Sequence, residues 1–66
     1  MLTNKEIKMI ATTAVRESKK AGLSLNQTIE IWETEVKNTA DYESAAMVSL
    51  EIIKLWFKKY CKQKIT

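Results

Sequence analysis

The feature that most restricts the fold of this chain is the broad apolar surface of residues 41–64. Apolar residues recur there at steps of three and four, the spacing of one face of an α-helix. The first stripe comprises Tyr42, Ala46, Leu50, Ile53, Phe57 and Tyr60. A second stripe beside it comprises Ala45, Val48, Ile52, Leu55 and Trp56. A helix that is apolar over more than half its circumference needs cover on two sides, from its own chain, a second copy or a partner.

The size and composition of the chain favour one small all-α domain over residues 1–66. A chain of 66 residues buries only about 60% of the surface that it exposes when unfolded, so its stability is marginal unless it associates. With 45% hydrophobic residues, the chain is too apolar to be disordered. One glycine and no proline leave few residues for tight turns. These properties together favour helices.

Three helix starts are visible in the sequence. Thr3 with Glu6, and Ser24 with Gln27, have the capping-box spacing, in which each side chain accepts a hydrogen bond from the other residue's backbone N–H. Asp41 is the best N-cap for a third helix. We therefore predict a small three-helix bundle with helices at about residues 4–21, 25–38 and 41–63. No glycine or proline enforces a break between the second and third helices, but we expect one.

The third helix is expected to pack against the first two, because short connections make sequential helices neighbours. We assign its first stripe to that core and expect its second stripe to remain available. A second copy of the chain is the simplest cover for such a surface, so we predict a homodimer through the third helix. The predicted protein interface comprises Ile31, Val48, Ile52, Leu55 and Trp56.

The sequence shows no pattern typical of catalysis or of a metal site. It has no histidine, the commonest acid–base group near neutral pH. Glu30, Glu33 and Glu35 are predicted on the outer, solvated side of the second helix. Cys61, the one cysteine, fits a small buried hydrophobe better than a nucleophile. We therefore expect a protein that is not an enzyme and that has no cofactor, metal or small-molecule substrate.

A basic face on the first helix supports an alternative function, nucleic-acid binding. The join at Gly22 is similar to that of a helix-turn-helix over about residues 7–37, although no distinctive motif accompanies it. The candidate reading helix offers Asn26, Gln27 and Thr28 to the bases, but its acidic side chains would repel the DNA backbone. The predicted nucleic-acid contacts are Lys5, Lys8, Arg16, Lys19 and Lys20, with the lysines after Ile53 beside them.

The expected setting is the cytoplasm. No segment approaches the 18 or so consecutive apolar residues of a membrane span, and the first residues lack the apolar core of a signal peptide. A lone cysteine fits a reducing compartment. Residues 55–60 mix aromatics and lysines as membrane-surface helices do, but the core needs the same aromatics. We expect a small regulatory protein that binds another protein, itself or both.

Overall fold

The computed structural model describes residues 2–60, which form a three-helix bundle. The predicted all-α fold is confirmed, and the second and third helices are separate. The first helix has its predicted bounds, and the second is one residue longer than predicted. The predicted last turn of the third helix and Cys61 lie outside the described residues. The helices are α1 (Asn4–Ala21), α2 (Leu25–Thr39) and α3 (Tyr42–Tyr60).

Both predicted capping boxes are present. The backbone N–H of Glu6 donates to Thr3 Oγ1 at 3.2 Å, and the backbone N–H of Thr3 donates to Glu6 Oε1 at 2.8 Å. Ser24 and Gln27 form the same reciprocal pair, with distances of 2.9 and 3.2 Å. These bonds satisfy backbone donors that the first turn of a helix leaves free, and they fix where α1 and α2 begin.

The two connections are short because each contains a residue that stops or restarts a helix. Gly22 has a φ of 75°, the left-handed conformation that ends α1 and that glycine adopts without a steric penalty. Ala40, with a φ of −130° and a ψ of −100°, leaves the helical conformation after α2. Asp41 then caps α3, since its Oδ1 accepts the backbone N–H of Ser44 at 2.6 Å.

α3 lies in the middle of the bundle, and α1 runs parallel to it. Near the start of both helices, the backbone N–H of Leu2 donates to Ser44 Oγ at 3.0 Å. Near the end of both, the Lys19 ammonium lies 4.7 Å from the centroid of the Trp56 ring. α1 and α2 contact each other much less than either contacts α3.

α2 runs antiparallel to α3. The Ser49 hydroxyl donates to Glu33 Oε2 at 3.0 Å, and one turn further along α2 the Lys37 ammonium lies 5.4 Å from the centroid of the Tyr42 ring. Glu33 therefore contacts α3, and the prediction that it points into solvent is wrong. The reason is that Ser49, a small residue on the inner face of α3, donates a hydrogen bond to the Glu33 carboxylate.

The orientation predicted for α3 is also wrong. Ile52 is 0% exposed and Trp56 is 8% exposed, whereas Leu50 and Phe57 of the first stripe are 57% and 51% exposed. The inner face includes the small residues Ser44, Ala45 and Ser49, and both serines form hydrogen bonds with the neighbouring segments. The core comprises Ile7, Ala11, Ala14, Val15, Val36, Ala45, Val48, Ile52 and Trp56.

Candidate interaction surfaces

An exposed apolar surface runs along the outer face of α3; we call it the α3 strip and define it as Ala46, Leu50, Ile53 and Phe57. Ile53 is half-buried and the other three are exposed. Their spacing of four, three and four residues places them in one line along the helix, as in the seam of a packed helix pair. The strip is therefore a continuous apolar line on a helix whose opposite face is already covered.

Aromatic rings from α3 lie beyond both ends of the strip, and each ring has a lysine over it. The Lys37 ammonium from α2 lies over Tyr42 at the first end. At the other end the Lys19 ammonium from α1 lies 4.1 Å from the centroid of the Tyr60 ring. Both contacts are cation–π interactions, which leave the ammonium charge accessible at the surface. The strip is thus bordered by cations at each end.

A groove between α1 and α3 runs beside the strip, and Leu50 belongs to both. Its apolar side chains include Ile7 and Met47, and its charged ones include Glu51 and Lys54, which lie 3.5 Å apart from Oε2 to Nζ. An apolar centre with a charged rim is the usual composition of a protein interface. The groove is lined by Asn4, Ile7, Lys8, Met47, Leu50, Glu51 and Lys54.

Charge is divided along α3. Its first turn carries Glu43 and its last turn carries Lys58 and Lys59, while Glu51 and Lys54 form an ion pair near its middle. Acidic residues near the start and basic residues near the end of a helix complement its macrodipole. α3 therefore has an acidic side chain at its start and basic side chains at its end.

The structure does not bring the predicted interface residues together on the surface. Val48, Ile52 and Trp56 are in the core and are not available to a partner of the folded chain. Leu55 is half-buried against the same core. Ile31 is 50% exposed, but it lies two residues before Glu33, about 200° around α2 from the side that contacts α3. It is therefore separate from the α3 strip.

The basic face of α1 is exposed along its whole length, although some of its side chains already have partners. Arg16 Nε lies 3.6 Å from Glu17 Oε2, and Lys19 contacts the rings of α3. The predicted contacts Lys5, Lys8, Arg16, Lys19 and Lys20 are all exposed. A shallow depression on this face is lined by Lys5, Lys8, Met9, Thr12 and Thr13.

Two of the three predicted base-reading residues have other roles. Thr28 is fully buried and its hydroxyl donates to the backbone carbonyl of Ser24 at 2.8 Å, so its prediction as a base reader is wrong. The physical reason is that Thr28 lies on the inner face of α2. The side-chain oxygen of Gln27 accepts the backbone N–H of Ser24. Asn26 is exposed. α2 thus presents a weak reading surface.

No protein family model, curated protein or solved structure matches this chain. The function is therefore inferred from the chemistry of the two surfaces. Within residues 2–60, no group of three or more His, Cys, Asp or Glu side chains could hold a metal ion. In the same part of the chain, no helix is both long enough and apolar enough to cross a membrane.

Among residues 2–60, the pKa values of two carboxylates are shifted, and both carboxylates take part in helix capping. The hydrogen bond from the backbone N–H of Thr3 lowers the pKa of Glu6, and the hydrogen bonds from Ser44 lower the pKa of Asp41. In each case the donor stabilises the charged form of the carboxylate. These shifts belong to the starts of α1 and α3 and are explained by folding alone.

Proposed function

We propose that this protein is a small, non-catalytic regulatory protein that binds another protein, itself or both through the α3 strip. The observation that supports this most directly is the exposure of Leu50 and Phe57, each more than half exposed, on a helix whose other side is packed. Single exposed apolar residues are ordinary, but a line of them on one face is typical of a protein interaction site. Aromatic side chains are also frequent anchors of such sites.

The groove beside the strip supports the same function. A partner helix seated on Leu50 and Phe57 would also cover Met47, while Glu51 and Lys54 at the rim would remain in contact with water. This is the helix-in-groove mode of recognition, in which apolar anchors on one helix face enter a hydrophobic groove. We place this activity in the cytoplasm, because the sequence contains a single cysteine, Cys61.

The test is capture of partners, including the chain itself, by the full chain and two matched variants. Leu50→Gln replaces an apolar side chain of the strip with a polar one of similar size. Met9→Gln makes a similar change at a residue that is also exposed but lies on α1. Wild type and Met9→Gln should capture the same partner and Leu50→Gln should not, with equal helical content by circular dichroism. Equal capture by all three proteins would exclude the strip as the binding site.

Nucleic-acid binding is the second candidate, and the parallel arrangement of α1 and α3 favours it. This arrangement places Lys19 and Lys20, in the last turn of α1, at the same end of the bundle as Lys58 and Lys59 of α3. Four cations at one end would attract phosphate groups without sequence preference. Supporting results would be duplex DNA affinity that falls steeply with salt and falls again in Lys20→Gln/Lys58→Gln. Absence of binding to DNA or RNA at low salt would exclude it.

A further inference from the structure

We infer that the α3 strip is occupied by the α3 strip of a second copy of this chain, with the two helices antiparallel. The inference rests on the proposed function, since it names the partner of the same surface. Its first support is the spacing of Ala46, Leu50, Ile53 and Phe57, which continues by three residues to Tyr60. Alternating steps of four and three residues are those of a heptad seam, in which side chains of one helix enter spaces on another.

Side-chain sizes along the strip fit the antiparallel register. When Leu50 of one copy faces Ile53 of the other, Ala46 faces Phe57. The smallest side chain of the strip then lies opposite its largest one, at both ends of the contact. Alternation of large and small residues across an interface lets two helices pack without voids. A parallel pair would instead set Phe57 against Phe57 and Ala46 against Ala46, which leaves a wide end and a narrow one.

The charges of α3 favour the same direction. In an antiparallel pair, the start of α3, which carries Glu43, lies along the end of α3 of the other copy, which carries Lys58 and Lys59. The two helix macrodipoles also oppose each other. In a parallel pair the lysines of the two copies would lie side by side and repel. Complementary charge thus selects the antiparallel pair and disfavours the parallel one.

Such a pair closes on itself. An antiparallel contact between identical strips has a two-fold axis near residues 51 and 52, so each copy presents the same residues to the other. α1 and α2 cover the opposite sides of α3 and remain on the outside of the pair. The dimer therefore needs no rearrangement of the bundle, and it covers the exposed apolar face that the single chain leaves in water.

The first experiment measures the mass of the full chain by analytical ultracentrifugation. Wild type and Met9→Gln should sediment at twice the chain mass of 7.6 kDa, and Leu50→Gln should sediment at 7.6 kDa with unchanged helical content. A wild-type chain that stays at 7.6 kDa at millimolar concentration would overturn the inference. So would a Leu50→Gln variant that keeps its helical content and remains dimeric, because association would then involve another face.

The second experiment determines the direction of the pair by distance measurement between spin labels. The label is attached at Glu43→Cys in a Cys61→Ser background, so that each copy carries one. In the antiparallel register the two labels are offset along the helix axis by 17 residues, or about 25 Å at ~1.5 Å per residue. In a parallel pair they would be separated by only about 10 Å between helix axes. A short distance, or no dipolar coupling, would overturn the antiparallel pair.

The two proposals fail in different ways. A chain that stays monomeric but captures another protein through Leu50 would overturn the second-copy inference and leave the proposed function intact. A monomeric chain with no Leu50-dependent capture would overturn both.

Discussion

The Lys19 ammonium lies 4.7 Å from the centroid of the Trp56 ring and 4.1 Å from that of Tyr60. The two rings meet edge to face, with their centroids 5.5 Å apart. A single cation of α1 therefore contacts two aromatic faces of α3, and this joins the last turns of the two parallel helices. Part of the basic face of α1 therefore already takes part in packing α1 against α3.

The Lys19→Gln variant should be less stable than wild type by about 0.5–1 kcal/mol, the usual value of a surface cation–π contact. Lys20→Gln is the matched control, because Lys20 is in the same last turn and its loss changes the helix-dipole interaction equally. Urea denaturation monitored by tryptophan fluorescence measures both. Equal destabilisation by the two substitutions would show that the ring contacts do not contribute.

The orientation of α3 can be checked with two neighbouring isoleucines. Ile52→Val removes a methyl group from a fully buried site and should lower the free energy of unfolding by about 0.5–1.5 kcal/mol. Ile53→Val makes the same chemical change at a half-buried site and should cost clearly less. Denaturation is measured in the Leu50→Gln background, so that association through the strip does not contribute. A larger loss from Ile53→Val would contradict the orientation described here.

The helix bounds could be predicted because the signals that set them are local. The Thr3–Glu6 and Ser24–Gln27 pairs each act within one turn, and Asp41 caps α3 through the nearby Ser44. Hydrogen bonds over three residues depend on the immediate sequence alone. The left-handed conformation of the single glycine, Gly22, likewise depends on the immediate sequence.

The orientation of α3 could not be predicted in this way, because two of its inner residues are serines. Ser44 accepts the backbone N–H of Leu2, and Ser49 donates to Glu33. Both partners are distant in sequence, so nothing near these serines in the sequence indicates that they face inward. A pattern based on apolar residues alone therefore makes the inner face of α3 look narrower than it is. The stripe that contains Leu50 and Phe57 looks more regular, and the sequence therefore predicts that stripe in the core. The same pattern predicts the interface at Ile52 and Trp56, which the structure buries.

A third prediction compares two buried serines. Ser18 Oγ is buried and has no hydrogen-bond partner within residues 2–60, whereas Ser49 donates to Glu33. Ser18→Ala should raise the free energy of unfolding by about 1 kcal/mol, because it removes a desolvated hydroxyl. Ser49→Ala should lower it by about 1 kcal/mol. Both substitutions replace a helical serine with alanine and so increase helix propensity equally. The difference between their effects on the free energy of unfolding therefore reflects the environments of the two hydroxyls. Equal effects in thermal or urea denaturation would contradict the assignment.

The last prediction concerns the stability of the protein at acid pH. Because the N-cap hydrogen bonds from Ser44 lower the pKa of Asp41 in the folded chain, the unfolded chain takes up a proton first as the pH falls. The unfolded state then binds more protons than the folded state, so the free energy of unfolding decreases as the pH falls. This contribution of Asp41 is fully present above about pH 4, near the ordinary pKa of an aspartate, and is lost as the pH falls through the lowered value.

Asp41→Asn isolates this contribution, because asparagine is as good an N-cap as aspartate but does not titrate. Wild type should lose more stability than Asp41→Asn as the pH falls from about 4 through the lowered pKa of Asp41. Urea denaturation at a series of pH values measures the two slopes. Glu6, whose pKa is lowered by Thr3, remains in both proteins, so the variant keeps part of the acid sensitivity. Identical slopes would mean that the charge of Asp41 adds nothing to the start of α3.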